Sequence, residues 1–265
     1  YLLFRRSPHW KYFLQYFPIR LVKEADLKPN KNYIFCVYPH GILSAGIFGN
    51  FASYYSDAKK FFPGINFWGA TLDIHFRTPF IREIVLLLGG IGASKESLLH
   101  ILNQENKGNA ILLIVGGAAE TLYAKPGSYH IILKKRKGFV KVALSTGSSL
   151  VPVFSFGEVD VYDQFKFTPG SRLDRFQQWF KEKTGVMLCV PMGRGLFQYS
   201  FGIVPRRSPI TTVVGKPIDV PLITNPTKEE VQHYHDLFTK AIKELFEEHK
   251  GKYVSDPENT ALIIE

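Results

Sequence analysis

Short, mostly apolar runs alternate along the chain with longer segments of helical composition. Three runs, Asn32–Val37, Asn109–Val115 and Ser149–Phe156, are apolar on both faces, which is typical of central strands in a parallel sheet. Ile42–Tyr55 and Gly138–Gly147 have the composition of helices, although glycines weaken the first of these predictions. Strands that alternate with helices predict an α/β fold, in which helices cover a mostly parallel central sheet.

Start and stop signals define further elements. Thr78 is a candidate N-cap, and Pro79 stands at the first position of the helix predicted in "TPFIREIVLLLGG". Thr227 and Glu230 form a capping box that predicts the start of a long C-terminal helix. This helix has an apolar stripe at helical spacing, which indicates core packing: Val231, Tyr234, Phe238, Ile242 and Leu245. The segments "SRLDRFQQWFKEKTG" and "TTVVG" continue the alternation of helix and strand.

The N-terminal segment differs in composition from the rest of the chain. Large aromatic residues alternate with Arg and Lys between Tyr1 and Lys23, as in segments that lie in a lipid interface. We therefore predict an amphipathic membrane-interface segment over residues 1–31 and a single domain over residues 32–265. An ordinary helix packed on the domain is the alternative interpretation. Apolar runs such as "AILLIVGGAA" are shorter than the roughly 20 residues that cross a bilayer, and the absence of an initial Met leaves room for an anchor upstream.

The chain is strongly basic, with 33 Lys and Arg against 23 Asp and Glu, a formal charge of +10. This excess favours an anionic partner, either nucleic acid, an acidic membrane face or a phosphorylated ligand. The basic residues are dispersed and no nucleic-acid-binding motif is present, which counts against nucleic acid. The two cysteines, Cys36 and Cys189, are far apart and lie in apolar surroundings, so no disulfide scaffold or zinc site is predicted.

Three ionisable residues follow the predicted central strands. His40 follows the first strand in "YPHG", Glu120 follows the second in "GGAAE", and Glu158 follows the third in "GE". Because the carboxyl ends of parallel strands meet at one edge of the sheet, we expect these side chains to lie close together. A carboxylate that accepts a hydrogen bond from one ring nitrogen of a histidine leaves the other nitrogen free to act as a base. Each residue alone is more often structural than functional, so the hypothesis rests on their convergence.

A basic run precedes the helix predicted from Gly138. The sequence "KKRKGFVK" places Arg136, Lys137 and Lys141 close to the start of that helix, where cations and exposed N–H groups suit phosphate. A solvated basic face is the alternative interpretation.

Other nucleophiles and metal ligands are less favoured. No Gly-x-Ser-x-Gly elbow is present, and Cys36 lies in an apolar strand, where an inert core thiol is the expected role. His233 and His235 are two residues apart on the predicted C-terminal helix, so they point to different faces. We predict no metal site.

Nearly the whole chain resembles the type-two diacylglycerol acyltransferase family, which includes monoacylglycerol and wax-alcohol acyltransferases. The motifs that carry the resemblance occur in the family's order: "YPHG", "FPG", "GNAILLIVGGAAE", "RKGFVKVALSTGSSLVPVFSFGE", "YDQ" and "GIVPRRSPITTVVGKPI". The resemblance implies transfer of a fatty acyl group from acyl-CoA to a hydroxyl of a neutral lipid, at the cytosolic face of the endoplasmic reticulum membrane and on lipid droplets.

By this resemblance, His40 matches the histidine of the family's His-Pro-His-Gly motif that acts as base, and Glu120 matches the glutamate of its Gly-Gly-x-x-Glu motif. Tyr38 stands where many members have the motif's first histidine, which strengthens the case for His40. The wider glycerolipid acyltransferases place an aspartate five residues after the histidine, but here the residue is Ala45. The carboxylate must therefore come from elsewhere, and Glu120 is the first choice and Glu158 the second.

We expect a direct attack by the acceptor on the thioester, in which His40 takes the hydroxyl proton and Glu120 holds the ring. The amides of Gly116 and Gly117, or of Gly41, are candidates for the oxyanion site. The basic run, chiefly Arg136, Lys137 and Lys141, is expected to hold the CoA phosphates. Acyl-CoA is then a substrate, and no cofactor is predicted.

The acceptor lipid is the open question within this hypothesis. "GLFQYSFGIVP" and "VVGKPI" are nearer the monoacylglycerol branch, which predicts synthesis of diacylglycerol from monoacylglycerol. Acylation of diacylglycerol or of a fatty alcohol is the alternative within the family. A non-catalytic lipid-binding protein of the same fold is the alternative outside it, although the presence of both His40 and Glu120 counts against it. The expected partners are acyl-CoA, a neutral lipid and a membrane surface, and a homo-oligomer stays open.

Overall fold

A computed structural model describes residues 2–103, 105, 107–165, 167–186 and 188–265. The strands are β1 (Arg20–Lys23), β2 (Tyr33–Tyr38), β3 (Asn66–Thr71), β4 (Gly90–Gly92), β5 (Asn109–Ile114), β6 (Tyr129–Ile131), β7 (Ser149–Phe156), β8 (Asp163–Phe165), β9 (Val190–Met192), β10 (Thr211–Val214) and β11 (Leu262–Ile264). The helices are α1 (Leu2–Arg5), α2 (His9–Tyr16), α3 (Ala45–Ile47), α4 (Ala58–Phe61), α5 (Asp73–Arg77), α6 (Ile81–Leu87), α7 (Lys95–Ile101), α8 (Gly138–Thr146), α9 (Arg172–Thr184) and α10 (Lys228–Tyr253).

Seven strands form the central sheet, in the order β1-β10-β7-β2-β5-β3-β4. Neighbouring strands from β7 to β4 are parallel, whereas β10 runs antiparallel to β7 and parallel to β1. This sheet confirms the predicted α/β class and its mostly parallel arrangement. The three strands predicted from their apolar runs, β2, β5 and β7, are adjacent in the sheet, so their carboxyl ends meet at one edge.

The alternating side chains of β2 explain why this strand is apolar throughout. Ile34, Cys36 and Tyr38 join a core that α8 and α10 cover, while Phe35 and Val37 join a second core on the opposite face. Both faces of the sheet are therefore buried, and neither face of the strand offers a position for a polar residue. The first polar side chain that follows the strand is that of His40.

The helix predictions succeed where caps are strong. Thr227 and Glu230 form the predicted capping box at the start of α10, and the predicted apolar stripe of this helix faces the core. The helix predicted over Ile42–Tyr55 is reduced to α3 and a π-helical turn at Phe48–Ala52. The helix predicted from Thr78 begins later, at Ile81, because Phe80 takes a left-handed φ of 64° immediately before it.

The N-terminal segment is partly built into the sheet. Helices α1 and α2 precede β1, and β1 pairs with β10 at the edge of the central sheet. The segment predicted over residues 1–31 is therefore continuous with the domain in its second half, and Tyr1 lies outside the described residues. Within the described ranges, no helix has both the length and the apolar character needed to cross a membrane.

Candidate active site

The turn after β2 holds His40 at the carboxyl edge of the sheet. Pro39 follows Tyr38 through a cis peptide bond, and the ring Nδ1 of His40 lies 3.0 Å from the carbonyl oxygen of Gly41. Because a carbonyl only accepts, Nδ1 carries the hydrogen in this contact, and Nε2 of the neutral ring is left as an acceptor. Burial lowers the pKa of His40 from its ordinary value of 6.5, so the ring is neutral at physiological pH.

Glu120 supports the main chain of this turn. One oxygen of its carboxyl group accepts the backbone N–H of His40 at 2.9 Å, and the other accepts that of Ile132 at 2.8 Å. Burial raises the pKa of Glu120 to about 8, although the two N–H donors oppose this shift. The carboxyl group therefore links β2, the loop after β5 and the segment before α8.

Glu158 supports the next part of the same turn. Its two carboxyl oxygens accept the backbone N–H groups of Ala45 at 2.7 Å and Gly46 at 2.8 Å, at the start of α3. Burial raises the pKa of Glu158 to about 7, against the effect of these two donors. From the wider acyltransferases a carboxylate is expected five residues after the histidine. Here that residue is Ala45, and its backbone N–H donates to the carboxyl group of Glu158.

The expected hydrogen bond between a glutamate and the His40 ring is not formed in the described structure. Glu120 contacts the backbone N–H of His40, Glu158 contacts Ala45 and Gly46, and the Gly41 carbonyl is the partner of the ring. The predicted holding of the ring by Glu120 is therefore corrected to support of the turn. The physical reason is that each carboxyl group satisfies two backbone N–H groups that would otherwise be buried without partners.

Two glycines, Gly41 in this turn and Gly116 in the loop after β5, are required by close approaches to these glutamates. Gly41 has a φ of +60°, and a Cβ atom added there would lie 2.7 Å from Cγ of Glu158. At Gly116 an added Cβ atom would lie 1.9 Å from Oε1 of Glu120. Both distances are shorter than atoms tolerate, so any side chain at either position would displace a supporting carboxyl group.

Two cavities meet at His40. The first, which we call the basic cleft, has a volume of about 600 Å³, and the second, the apolar cavity, has a volume of about 390 Å³. Both are lined by His40, Ala70, Thr71, His75 and Ile114. The ring of His40 is thus accessible from two chemically different spaces.

Cations line the basic cleft along one side. Arg136, Lys137 and Lys141, predicted as phosphate ligands, lie there together with Lys95 and Lys135. Arg136 also donates from Nη2 to the carbonyl oxygen of Gly116 at 3.2 Å. Of the three glycines predicted for the oxyanion site, Gly117 lines this cleft. Gly41 and Gly116 instead lie against Glu158 and Glu120.

The position of His75 after the apolar segment "INFWGAT" suggests a place near a substrate path, and the structure brings this residue to both cavities. It lies in α5, after the carboxyl end of β3, and its Nδ1 is 2.7 Å from Oγ1 of Thr71. Burial lowers its pKa, as it does for His40. The rule that placed His40, a polar residue just after a parallel strand, also describes His75, which follows β3.

The residues that the sequence disfavoured as nucleophiles or metal ligands lie outside the two cavities at His40. Cys36 is fully buried in β2, and burial raises the pKa of its thiol well above the ordinary value, which disfavours the nucleophilic thiolate. Tyr38 is also fully buried, against Phe238. His235 is buried with Nε2 3.0 Å from the carbonyl oxygen of Leu133, while His233 is exposed on another face of α10.

Comparisons with known proteins identify the family of this chain. The family model of diacylglycerol acyltransferases matches residues 2–265. The chain is 48% identical to 2-acylglycerol O-acyltransferase 1 of Mus musculus over 256 residues, 97% of this chain and 76% of that protein. It is 46% identical to diacylglycerol O-acyltransferase 2 of Dictyostelium discoideum, with coverages of 94% and 75%. It is 42% identical to acyl-CoA wax alcohol acyltransferase 2 of Mus musculus, with coverages of 96% and 77%.

Among solved structures, the 1-acyl-sn-glycerophosphate acyltransferase PlsC of Thermotoga maritima aligns with a TM-score of 0.46 and 12% identity. The alignment covers 89% of this chain and 79% of that one. At this level no residue role is carried over from it.

Proposed function

The chain belongs to the diacylglycerol acyltransferase family and is an acyl-CoA-dependent O-acyltransferase, and from this premise we propose that its acceptor is a monoacylglycerol. The product would be diacylglycerol. The 48% identity to a 2-acylglycerol O-acyltransferase supports this choice. The similar identities to a diacylglycerol acyltransferase and a wax alcohol acyltransferase keep those acceptors as the alternatives.

The observation that carries the proposal is the position of His40 between the basic cleft and the apolar cavity. An acyl-CoA has an anionic nucleotide end and an apolar acyl end, joined at the thioester. A molecule of this kind fits two such spaces when its thioester lies at their junction. The neutral ring of His40 is at that junction, within reach of the reacting atoms.

We propose the following roles in the reaction. Nε2 of His40 accepts the proton of the acceptor hydroxyl while the hydroxyl oxygen bonds to the thioester carbonyl carbon. The carbon–sulfur bond then breaks, and CoA leaves as the thiolate, which takes up the proton. Glu120 and Glu158 hold the turn that fixes the ring, and main-chain N–H groups near Gly117 face the carbonyl oxygen as it becomes negative. Arg136, Lys137 and Lys141 bind CoA phosphates, as their place in the basic cleft supports.

We also propose that the enzyme works on a membrane, at the cytosolic face of the endoplasmic reticulum and on lipid droplets. Helix α6 has no buried residue although it is mostly apolar, and Ile81 and Ile84 line the apolar cavity from partly exposed positions. Phe80, at the start of this helix, is 84% exposed. The hydrocarbon chain of a lipid acceptor that moves along these apolar side chains stays in an apolar environment until it enters the cavity. The aromatic and basic segment at the N-terminus is the second proposed contact with the lipid interface.

The experiment that tests the function is CoA release from oleoyl-CoA by the purified full chain in lipid micelles. Monoacylglycerol, diacylglycerol and a long-chain alcohol are offered separately, and the lipid product is identified. We expect the highest kcat/KM with monoacylglycerol, and a loss of roughly 10²–10⁴-fold in His40→Ala, the range that general bases supply.

His100→Ala is the matched control, because His100 is exposed on α7 and lines neither cavity. A higher kcat/KM with diacylglycerol or the alcohol would replace the proposed acceptor. Full activity of a folded His40→Ala protein would remove His40 from the mechanism.

A further inference from the structure

A third cavity, at the start of α10, lies beside the basic cleft. This distal cleft, with a volume of about 660 Å³, is lined by Lys137, Lys141, Lys228, Glu229, Val231, Gln232 and His233. Lys137 and Lys141 also line the basic cleft, so the two spaces share a wall. A ligand that extends from His40 along the cations of the basic cleft would therefore reach the distal cleft.

The polar groups of the distal cleft suit an anion with several oxygens. Three ammonium groups line it, and His233 adds a ring that donates hydrogen bonds. Nζ of Lys137 donates to Oε1 of Gln232 at 2.5 Å, which holds this ammonium group at the boundary between the two clefts. Lys228 lies at the first residue of α10 and is exposed, without a salt-bridge partner among the described residues.

The order of these groups matches the order of charges along coenzyme A. Its thioester is followed by the uncharged pantetheine chain, then by a diphosphate, and last by a ribose that carries a 3′-phosphate. Resting on the proposed function, we propose that the distal cleft binds this 3′-phosphate, with Lys228 and His233 as its ligands. The diphosphate then lies at Lys137 and Lys141, and the thioester lies at His40.

Glu229 sets a limit on how the phosphate is placed. Its carboxylate also lines the distal cleft and repels a phosphate group. The cations of the cleft outnumber this single carboxylate by three to one. The net charge of the lining therefore still favours a phosphate, although Glu229 weakens its binding.

The test is a comparison of CoA with 3′-dephospho-CoA, which lacks only the group in question. The dissociation constants of both are measured by calorimetry with the full chain, so the result does not depend on any acceptor or on turnover. We expect wild type to prefer CoA by roughly tenfold, and Lys228→Gln to reduce this preference by about fivefold, as loss of a partly exposed ion pair implies. His233→Gln is expected to reduce it by a smaller factor.

Lys243→Gln is the matched control. It removes the same charge from an exposed position on the same helix but outside the distal cleft, and its preference should equal that of wild type. An equal preference in wild type, Lys228→Gln and Lys243→Gln would overturn the subsite, even in an enzyme that transfers acyl groups. Absence of CoA binding by wild type would overturn it as well.

A phosphate monoester is also present in phosphatidic acid, so vesicles that contain this lipid form a second arm of the experiment. Sedimentation with these vesicles should be unchanged by Lys228→Gln if the ligand is the CoA phosphate. A loss of vesicle binding in Lys228→Gln with an unchanged CoA preference would assign the distal cleft to a lipid headgroup and overturn the proposal. Acyl transfer measured in parallel shows separately whether the proposed function holds.

Discussion

The basic cleft and the apolar cavity share one wall but are built in different ways. The cations of the basic cleft come mostly from one continuous run, Lys135 to Lys141, joined by Lys95 from α7. The apolar cavity takes its lining from separate parts of the chain between Ile42 and Ile114. The cations of the basic cleft are therefore mostly neighbours in the sequence, whereas the lining of the apolar cavity is brought together only by folding. His40 lines both spaces. Variants of the shared wall, of the apolar cavity and of the basic cleft can therefore separate the contribution of each to the reaction.

The largest effect is expected from the shared wall. In Glu120→Gln, the side-chain NH₂ faces the backbone N–H of either His40 or Ile132, so one of two buried hydrogen bonds is lost. Such a loss costs about 1–3 kcal/mol of unfolding free energy. The displaced turn is expected to lower kcat by roughly 10- to 100-fold with every acyl-CoA, because small misplacements of a base are costly.

Turnover and thermal unfolding of Glu120→Gln are measured beside Glu182→Gln, an exposed position on α9. If kcat is lowered while KM for acyl-CoA is unchanged, the role of Glu120 in positioning His40 is supported. An unaltered kcat would show that the turn keeps its geometry without this carboxyl group.

The apolar side can be filled selectively at Gly69. This residue lines the apolar cavity, and a Cβ atom added there would have no atom within 4 Å. Gly69→Leu should therefore fold and shorten the space for hydrocarbon. We expect kcat/KM for oleoyl-CoA to fall about tenfold more than kcat/KM for octanoyl-CoA. The reason is that kcat/KM falls by roughly one to two orders of magnitude when a substrate chain no longer fits its pocket.

Gly251→Leu, which is equally open but lies on α10, is the control for Gly69→Leu. Equal losses with both chain lengths would mean that the acyl chain does not occupy the apolar cavity. In that case the acceptor's chain length is varied next, since the same substitution would then act on the acceptor.

The charged side should respond more weakly. Lys141 is exposed and lines the basic cleft, so Lys141→Gln is expected to raise KM for acyl-CoA roughly three- to fivefold at low ionic strength. The difference from wild type should shrink as salt is added, because exposed charges are screened. Lys134→Gln, an exposed position of the same run that does not line the cleft, provides the control. A salt-independent change in KM would argue against a phosphate contact.

The smallest effect concerns the pH profile. Because burial lowers the pKa of His40, the ring stays neutral, and able to accept a proton, below the pH at which an exposed histidine is half protonated. On the acid side, kcat/KM should therefore decrease as the pH is lowered, with the midpoint of this decrease below pH 6.5. An acid limb above 6.5 would indicate that a neighbouring negative charge stabilises the imidazolium in the enzyme.

The sequence predicts this site to the extent that each feature is local. Strands β2, β5 and β7 are predictable because most positions on both faces of each are buried and apolar. Strands β3 and β4 carry glycines and partly exposed positions, and β1 has only four residues, so no apolar run marks them. His75 follows β3, and its approach to His40 depends on the order of the strands in the sheet, which the sequence does not specify.

The roles of the glutamates could not be deduced in full for a different reason. Their position after β5 and β7 follows from the sheet, and the structure brings both to the His40 turn. Whether they bond to the ring or to the main chain depends on which N–H groups the loops leave without partners. That depends on the path of the backbone, including the left-handed Gly41, which sequence patterns do not specify.

The bonds from Glu120 and Glu158 to the main chain have a consequence for how this enzyme tolerates sequence drift. A backbone N–H is supplied by every residue except proline, so these bonds do not themselves select the side chains of the residues that donate them. The selective constraint falls instead on two carboxyl groups that lie 80 and 113 residues away along the chain. A saturation library of the turn should therefore show its rare, intolerant positions at His40 and Gly41, with equally intolerant positions at Glu120 and Glu158, and few between Gly41 and Ser44.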